Sequence, residues 1–458
     1  MSIQASSPLV SSLSEPATTA AERRAAYLSG LLDLAKQSPT ALPWLKELRD
    51  HADLRVQEQT FPTSRDEEWR FTDLSALLQT QLAAVQHQDL GRTAEAIAPF
   101  VLPEARASQL VFMDGAYAPY LSNLTQLPEA LVVGTLSALA DQYGDRLRPY
   151  LAQQSGAEEV FTALNTAGLT DAAVILVPQG LAIETPIHLL FIATAQNAAF
   201  IQPRVLVVAE TNSAVTLIED YGAIGSAAYL TNSVTEIWIA DNAQVNHIRV
   251  QRDGHHAFHI GKTAVSQGRT SRYTCNAVSM GAQLSRHNLE IYQTGEQTET
   301  ILNGLTLLHG DQIGDTHSTI ALTQPHGTTR QLHKCIIDDR AHAIFNGKVF
   351  VPKAAQLTDA GQLNRNLLLS PKARVDTKPQ LEIVADNVKC THGATVGQLE
   401  ADAVFYLQSR GIDVSDARQL LVYAFAFEVI DQIAIASLRR TLAELVQCRS
   451  MGLRKSKN

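Results

Sequence analysis

The chain has 458 residues, 45% of them hydrophobic, and a net charge of −9 at neutral pH. That length and apolar content supply at least one large core, while the acidic balance and the lack of Lys/Arg clusters interleaved with aromatics argue against a nucleic-acid partner. No stretch nears the roughly 18 to 20 uninterrupted apolar residues of a membrane helix; the best run, Ala173 to Val177, is strand-sized.

Residues 1–19 are rich in Ser, Thr and Ala and read as a disordered tail. A short transit peptide is the alternative, weakened by Glu15 and by a first arginine as late as Arg23. Residues 20–100 form an N-terminal helical region. Ala26, Leu28, Leu31, Leu32 and Ala35 make one helical stripe, and Leu42, Trp44, Leu45 and Leu48 make another. The segment PTSRDEEWRFTDLSALL, from Pro62, places charges before an aromatic pair and reads as a short docking region.

From about Val111 the pattern changes to short β-branched runs broken by Gly, Asn, Asp and Pro. Val174 to Val177, Ile187 to Ala193, Val205 to Ala209, Ala214 to Ile218, Val234 to Ile239 and Val245 to Val250 are predicted strands. No helical stretch separates them, so they are not βαβ units. A faint repeat runs through Ser213-Ala214-Val215, Ala243-Gln244-Val245, Ala341-His342-Ala343 and Ala373-Arg374-Val375. Its spacing of about thirty residues, or multiples, suits a solenoid; periodicity alone leaves a β-sandwich open. Residues 101–397 are taken as this β region.

Residues 398–458 revert to helix. Gly411 is placed to end the first helix, and Asp413 or Ser415 to cap the next. That second helix carries Ala417, Leu420, Leu421, Ala424 and Phe425, then Phe427, Val429 and Ile430, an arc wide enough for two packing surfaces or for one surface and a partner.

Neither a phosphate-binding G-x-x-x-x-G-K-[ST] nor a G-x-G-x-x-G or G-x-S-x-G motif occurs. Cys275, Cys335, Cys390 and Cys448 are widely spaced, which suggests a reducing compartment. Most of the fourteen histidines fall between His247 and His392 and read as solvated or turn-bonded. The sharpest local feature is DNVKCTHGATVG, Asp386 to Gly397. If it is extended, Cys390 and His392 share one face. Cys and His suit iron–sulfur or zinc coordination, but two ligands cannot complete a sphere of four. The pair is therefore either half of a site shared between subunits or an inert pair at a sheet end.

PTSRDEEWRFTDL, LNGLTLLHGDQIGDTHS from Leu302, FNGKVFVPKAAQLTDAGQLNRNLLLS from Phe345 and PQLEIVADNVKCTHGATVGQLEADAVFYLQSRGI from Pro379 together resemble the SufB/SufD family of iron–sulfur cluster assembly proteins. CTHGATVG stands where the B-type paralogue carries a glutamate-rich stretch, so the resemblance is to the D-type branch; Asp386-Asn387 departs from the usual acidic pair. The resemblance implies a mainly β fold, a right-handed parallel β-helix flanked by N- and C-terminal helical regions. It implies a non-catalytic scaffold in a complex with SufB and the ABC-type ATPase SufC, cytoplasmic or, alternatively, in the plastid stroma. SufC would dock on the C-terminal helices through Leu420, Leu421, Ala424, Phe425 and Phe427. Cys390 and His392 match the family's C-x-H at the SufB interface and would hold iron or a transient iron–sulfur cluster shared with SufB, Cys390 as ligand or as sulfur relay. The resemblance leaves open a homodimer of the isolated chain and a reduced flavin in the complex, for which no residue is named. Two rival readings are a purely structural spacer and a β-helix enzyme acting on polysaccharide.

Overall fold

A computed structural model describes residues 19–37, 42–85 and 93–452; positions 1–18 of the expected tail lie outside them. From Ala214–Ala223 to Lys389–Gly397, successive strands alternate between two parallel sheets, so each coil of chain lays one rung on each sheet. In one sheet Ala214 pairs with Gln244, then in turn come Arg272, Glu299, Thr328, Asp359 and Lys389. The coils are thus 30, 28, 27, 29, 31 and 30 residues long (244−214, 272−244, 299−272, 328−299, 359−328, 389−359). This is the period of the faint repeat: Ala214 pairs with Gln244, and His342 with Arg374 in the opposite sheet. The fold is a parallel β-solenoid, and the sandwich alternative is set aside.

The corner between coils is a left-handed residue repeated once per turn, at Asn212, Asn242, Thr270, Gln297, His326 and Leu357, with φ between 58° and 62°. Each N–H donates to a carbonyl of the next coil, from Asn212 to Asp241 at 3.0 Å through to Leu357 to Asn387 at 2.7 Å. Asn suits this conformation, whereas Thr and Leu adopt it at a cost the coil-to-coil bond offsets.

The predicted strands are all present. Two helices, Leu136–Leu147 and Val160–Ala167, and two antiparallel pairings lie inside the range taken as strand-rich from 101. They occupy the first turns, where the coils are not yet regular. The N-terminal helix Ala20–Lys36 starts on a capping box, with Thr19 Oγ1 accepting from the Glu22 N–H and Glu22 accepting from the Thr19 N–H. It buries Tyr27, Leu28, Leu31, Leu32, Leu34 and Ala35; Ala26 of the expected stripe is exposed.

The DEEW segment docks as its charges and aromatics suggest. The Arg286 guanidinium lies 3.9 Å from the Trp69 ring centroid and donates to the Glu68 carbonyl at 2.8 Å. Glu68 reaches His317 at 3.0 Å, Thr72 donates to Asp315, and Glu67 pairs with Lys378 at 2.6 Å on the last strand of one sheet. Burial pushes the Asp315 carboxyl up, but Arg286 and His317 outweigh it and hold it at about 2.

Between the sheets, apolar residues such as Val215, Ile237, Val245, Ile291 and Val349 share the interior with ionised groups. Glu219, fully buried, accepts from His247 at 3.0 Å and Thr235 at 2.8 Å and bonds the Tyr221 hydroxyl. Arg249 reaches His259 at 2.7 Å, and His259 reaches Asp253 at 2.8 Å. The expectation of solvated or turn-bonded histidines therefore fails for His247, His259, His287 and His333, which are buried side chains of strands; His326 is at a turn. Interior glycine makes the room: a Cβ on Gly304 would lie 2.1 Å from His333 Nδ1.

Burial pushes Glu219 up, yet His247, Arg249 and Tyr221 pull it down to about 2. Burial likewise lowers His247, but bonding to Cys275 and Glu219 lifts it to about 9. Glu219 thus stabilises the fold above its usual 4.5, and this is lost as pH falls towards about 2. His247 stabilises it below its usual 6.5, and this is lost as pH rises through about 9. Denaturant midpoints measured against pH should therefore show a contribution of this pair that is greatest between these two ordinary values and absent from a Glu219→Gln/His247→Gln variant. Glu219→Gln alone, which strands a buried imidazolium, should cost about 3–5 kcal/mol.

Candidate functional site

The two ends of the solenoid differ. At the N-terminal end the sheets finish on short antiparallel strands, Ala116–Tyr117 and Val132–Thr135, the kind of blunted edge that resists further pairing. At the other end they finish on the ten-residue Arg374–Ile383 and the nine-residue Lys389–Gly397, each paired on one side only. Most side chains of these two strands are half-buried or exposed, unlike those of every preceding coil. Pro379, which has no N–H for a ladder, is tolerated on such an edge.

Cys390 and His392 belong to this last strand, held in register by Cys390 opposite Ala360 and His392 opposite Gln362. The turn before it is fixed by the Leu357 N–H donating to the Asn387 carbonyl at 2.7 Å and the Asn387 N–H donating to Gln356 Oε1 at 2.9 Å. Period-two geometry puts the two residues on one face, about 7 Å apart along the strand. Cys390 is half-buried against the interior core and His392 is exposed. Burial pushes the Cys390 thiol above its ordinary range, and the neighbouring Asp359 carboxylate adds to this. Among the described residues, no three His, Cys, Asp or Glu side chains converge on a metal-sized point. Within the described residues the pair has no third Cys, His, Asp or Glu converging on it.

Apolar exposure gathers at the same end. Val384, Val396, Phe405, Tyr406, Val414 and Leu420 are all exposed, and the helix Ala401–Ser409 has no buried residue. The next helix, Val414–Ile430, starts at Asp413, whose carboxylate accepts from the Ser415 N–H at 2.8 Å; Gly411 before it has φ of 85°. Its wide apolar arc divides. Ala417, Val422, Ala426, Val429 and Ile430 are buried, in large part against Ile248, Val278, Leu305 and Ile336 of the solenoid. Of the residues expected to meet a partner, Leu420 and Ala424 are exposed, while Leu421, Phe425 and Phe427 are half-buried. Lys334, buried on a solenoid strand, donates to the Phe425 carbonyl at 2.9 Å and pairs with Glu428, which also reaches Arg365 at 3.7 Å.

Sequence reasoning singled out Cys390 and His392, which the structure brings to one edge. It missed Arg286, read Glu68 and Trp69 as part of a docking segment without naming their partners, and gave Asp315, His317 and Asn346 no site role; these meet in the clamp under the docked segment. Their convergence from Glu68 to Asn346 had no local signal beyond the motifs themselves.

Residues 31–189 match the SufBD protein N-terminal region, and residues 191–425 match the SufBD core domain of SUF-system FeS cluster assembly. An iron–sulfur cluster assembly SufBD family protein of Synechocystis is 51% identical over 402 residues, covering 85% of this chain and 88% of the relative. The chloroplastic protein ABCI7 of Arabidopsis thaliana is 35% identical over 89% of this chain and 87% of its own length. The iron–sulfur cluster assembly protein SufD of Escherichia coli is 31% identical over 91% of this chain and 94% of its own.

Thiol chemistry should follow the burial order. With iodoacetamide on the native chain, Cys448 and Cys390 should react, Cys390 with a rate rising about tenfold per pH unit through neutrality as thiolate forms. Cys275 and Cys335, the latter's thiol pushed by burial to about 12, should be protected until unfolding; mass spectrometry of peptides reads each site. With an open-ended parallel solenoid and matches to both halves of the family's architecture, the chain belongs to the SufBD family of SUF-system iron–sulfur cluster assembly proteins.

Proposed function

We propose that this chain is the D-type scaffold of a SufB–SufC–SufD assembly and that its open end is where SufB pairs. The observation that carries the reading is the pair of edge strands at one end, each open along one side, with Cys390 and His392 on the very last one. A second solenoid can add its own edge by β-augmentation, which satisfies the backbone and covers the exposed apolar residues. The partner then supplies the ligands missing from the set, and the nascent cluster is cargo held between the two chains. The chain acts without catalysis of its own, in the cytoplasm or its plastid counterpart, where free thiols persist.

The C-terminal helix serves the ATPase. Leu420 and Ala424 on its outer face meet SufC, and its inner face is fastened to the solenoid through Glu428. Glu428 bridges Lys334 and Arg365, and the Arg365 strand is the one that pairs with Cys390 and His392. ATP-driven dimerisation of SufC pulls on that helix and shifts the last two strands. The apolar arc and edge strands favour this over a bare spacer or a polysaccharide enzyme.

The test is co-purification with SufB and SufC followed by anaerobic cluster reconstitution. His392→Ala should leave the complex intact and lower the cluster yield at least roughly tenfold, since even outer partners of metal ligands contribute that much; an unchanged yield would reduce the chain to architecture. Leu420→Glu/Ala424→Glu should abolish SufC binding without unfolding the chain, and SufC dimerisation should change the iodoacetamide rate of Cys390 in wild type but not in Glu428→Ala. An identical Cys390 rate before and after dimerisation would defeat the coupling.

A further inference from the structure

In the interior of the last coils, buried amides stand beside the apolar side chains. On the face that carries His392, the residues stacked behind it in register are Gln362 and then Gln331. Both are buried, at 4% and 6% exposure. The two amides are joined head to tail: Gln331 Nε2 donates to Ser318 Oγ at 2.8 Å, and Gln362 Nε2 donates to Gln331 Oε1 at 2.8 Å. Both donor ends point back along the solenoid, so the acceptor end of the chain is Gln362 Oε1. That oxygen is buried and has no partner in the structure. The neighbour in the next rung, at the usual inter-strand spacing of about 4.8 Å, is His392.

The site is built for this amide. A Cβ at Gly347, on the opposite sheet, would lie 2.3 Å from Gln362 Nε2, so the glycine of the FNG segment is what admits the side chain. A buried carbonyl oxygen without a donor costs more than a change of one exposed rotamer. The imidazole N–H of His392 is the ring donor next to it in register.

We propose that Gln362 is a positioning residue: its side-chain carbonyl accepts the N–H of the His392 ring, fixing one tautomer so that the other ring nitrogen presents its lone pair outward to incoming iron or cluster. Ligating histidines characteristically bind an acceptor in this way through the second nitrogen. Ser318 and Gln331 hold Gln362 in turn, so the orientation of the exposed ligand is set from within the solenoid. The inference rests on His392 being a cluster ligand, and the two are separable by experiment.

The full chain, labelled with ¹³C,¹⁵N-histidine, is examined by NMR, with His392→Ala identifying the His392 ring among fourteen. Wild type should show that ring as a single tautomer with a hydrogen-bonded N–H. Gln362→Met, similar in length but without an acceptor, should shift it to the averaged tautomers of a free imidazole, the other thirteen signals certifying the fold. Gln362→Glu should restore the wild-type signature, because Gln331 and the Ser318 hydroxyl can reverse their donor direction and leave a carboxylate oxygen facing the ring. In reconstitution with SufB and SufC, Gln362→Met should lose roughly tenfold in cluster yield and Gln362→Glu little. Coincident His392 signals in wild type and Gln362→Met overturn the positioning role, as does a Glu variant that fails to rescue. Loss of the tautomer in Gln362→Met together with an unaffected yield in His392→Ala would instead leave Gln362 orienting a ring that binds no cluster, and would refute the ligand reading.

Discussion

A stack of parallel strands must stop, and wherever it stops it leaves a row of backbone donors and acceptors facing water. This constraint organises the molecule. At its beginning the chain spends short antiparallel strands and helices on closing both sheets. At its end it leaves two full-length strands bare, with apolar side chains beside them. Edges of that length are normally blunted in a protein that works alone. Here the only tie from the N-terminal region to the last coil among the described ion pairs is Glu67 to Lys378, an exposed contact that leaves the edge itself unobstructed.

The interior shows the complementary economy. Many solenoid interiors need only aliphatic ladders, yet this one carries Glu219, His247, Arg249, Asp253 and His259 in one network. Buried charges of this kind are weak evidence of stability, since apolar replacements of equal volume do as well. They do enforce register: an ion pair formed between specific rungs forbids a coil from slipping by one residue, which would turn every interior side chain outward. Towards the open end ions give way to amides, which carry direction without charge. The last coils therefore keep a polar interior that places no charge behind the edge carrying Cys390 and His392.

How much of this was legible follows from the range of each interaction. Strands such as Ile187–Ala193, the Asp413 cap and the Gly411 turn depend on neighbours a few residues away and could be read directly. The coil length of about thirty residues was visible only faintly, because the repeat constrains one small residue and one apolar residue per turn while the rest vary. The buried histidines were misread for a related reason. His247 and Glu219 are 28 residues apart in the chain and sit on adjacent rungs, so nothing near either residue announces the other. Cys390 and His392 stood out because both lie in one strand and alternate onto one face. That two residues fall short of a sphere of four was countable from sequence; the bare edge on which they lie required the topology.

The helix Val414–Ile430 shows why an apolar arc cannot be assigned by composition. Nearly every turn of it is hydrophobic, and the residues expected to dock a partner, Leu420, Leu421, Ala424, Phe425 and Phe427, do not share one environment. Packing separates them: small or branched residues, Val422, Ala426 and Val429, let the helix approach the sheet closely, while Leu420 and Ala424 are exposed. Phe425 is held between the two, its ring 4.3 Å from the Lys334 ammonium. A helix anchored this way moves with the sheet rather than over it, because sliding would strand Lys334, only 1% exposed at its side chain, without Glu428. Force applied at its outer face therefore reaches the strands beneath it instead of being absorbed at the helix–sheet junction.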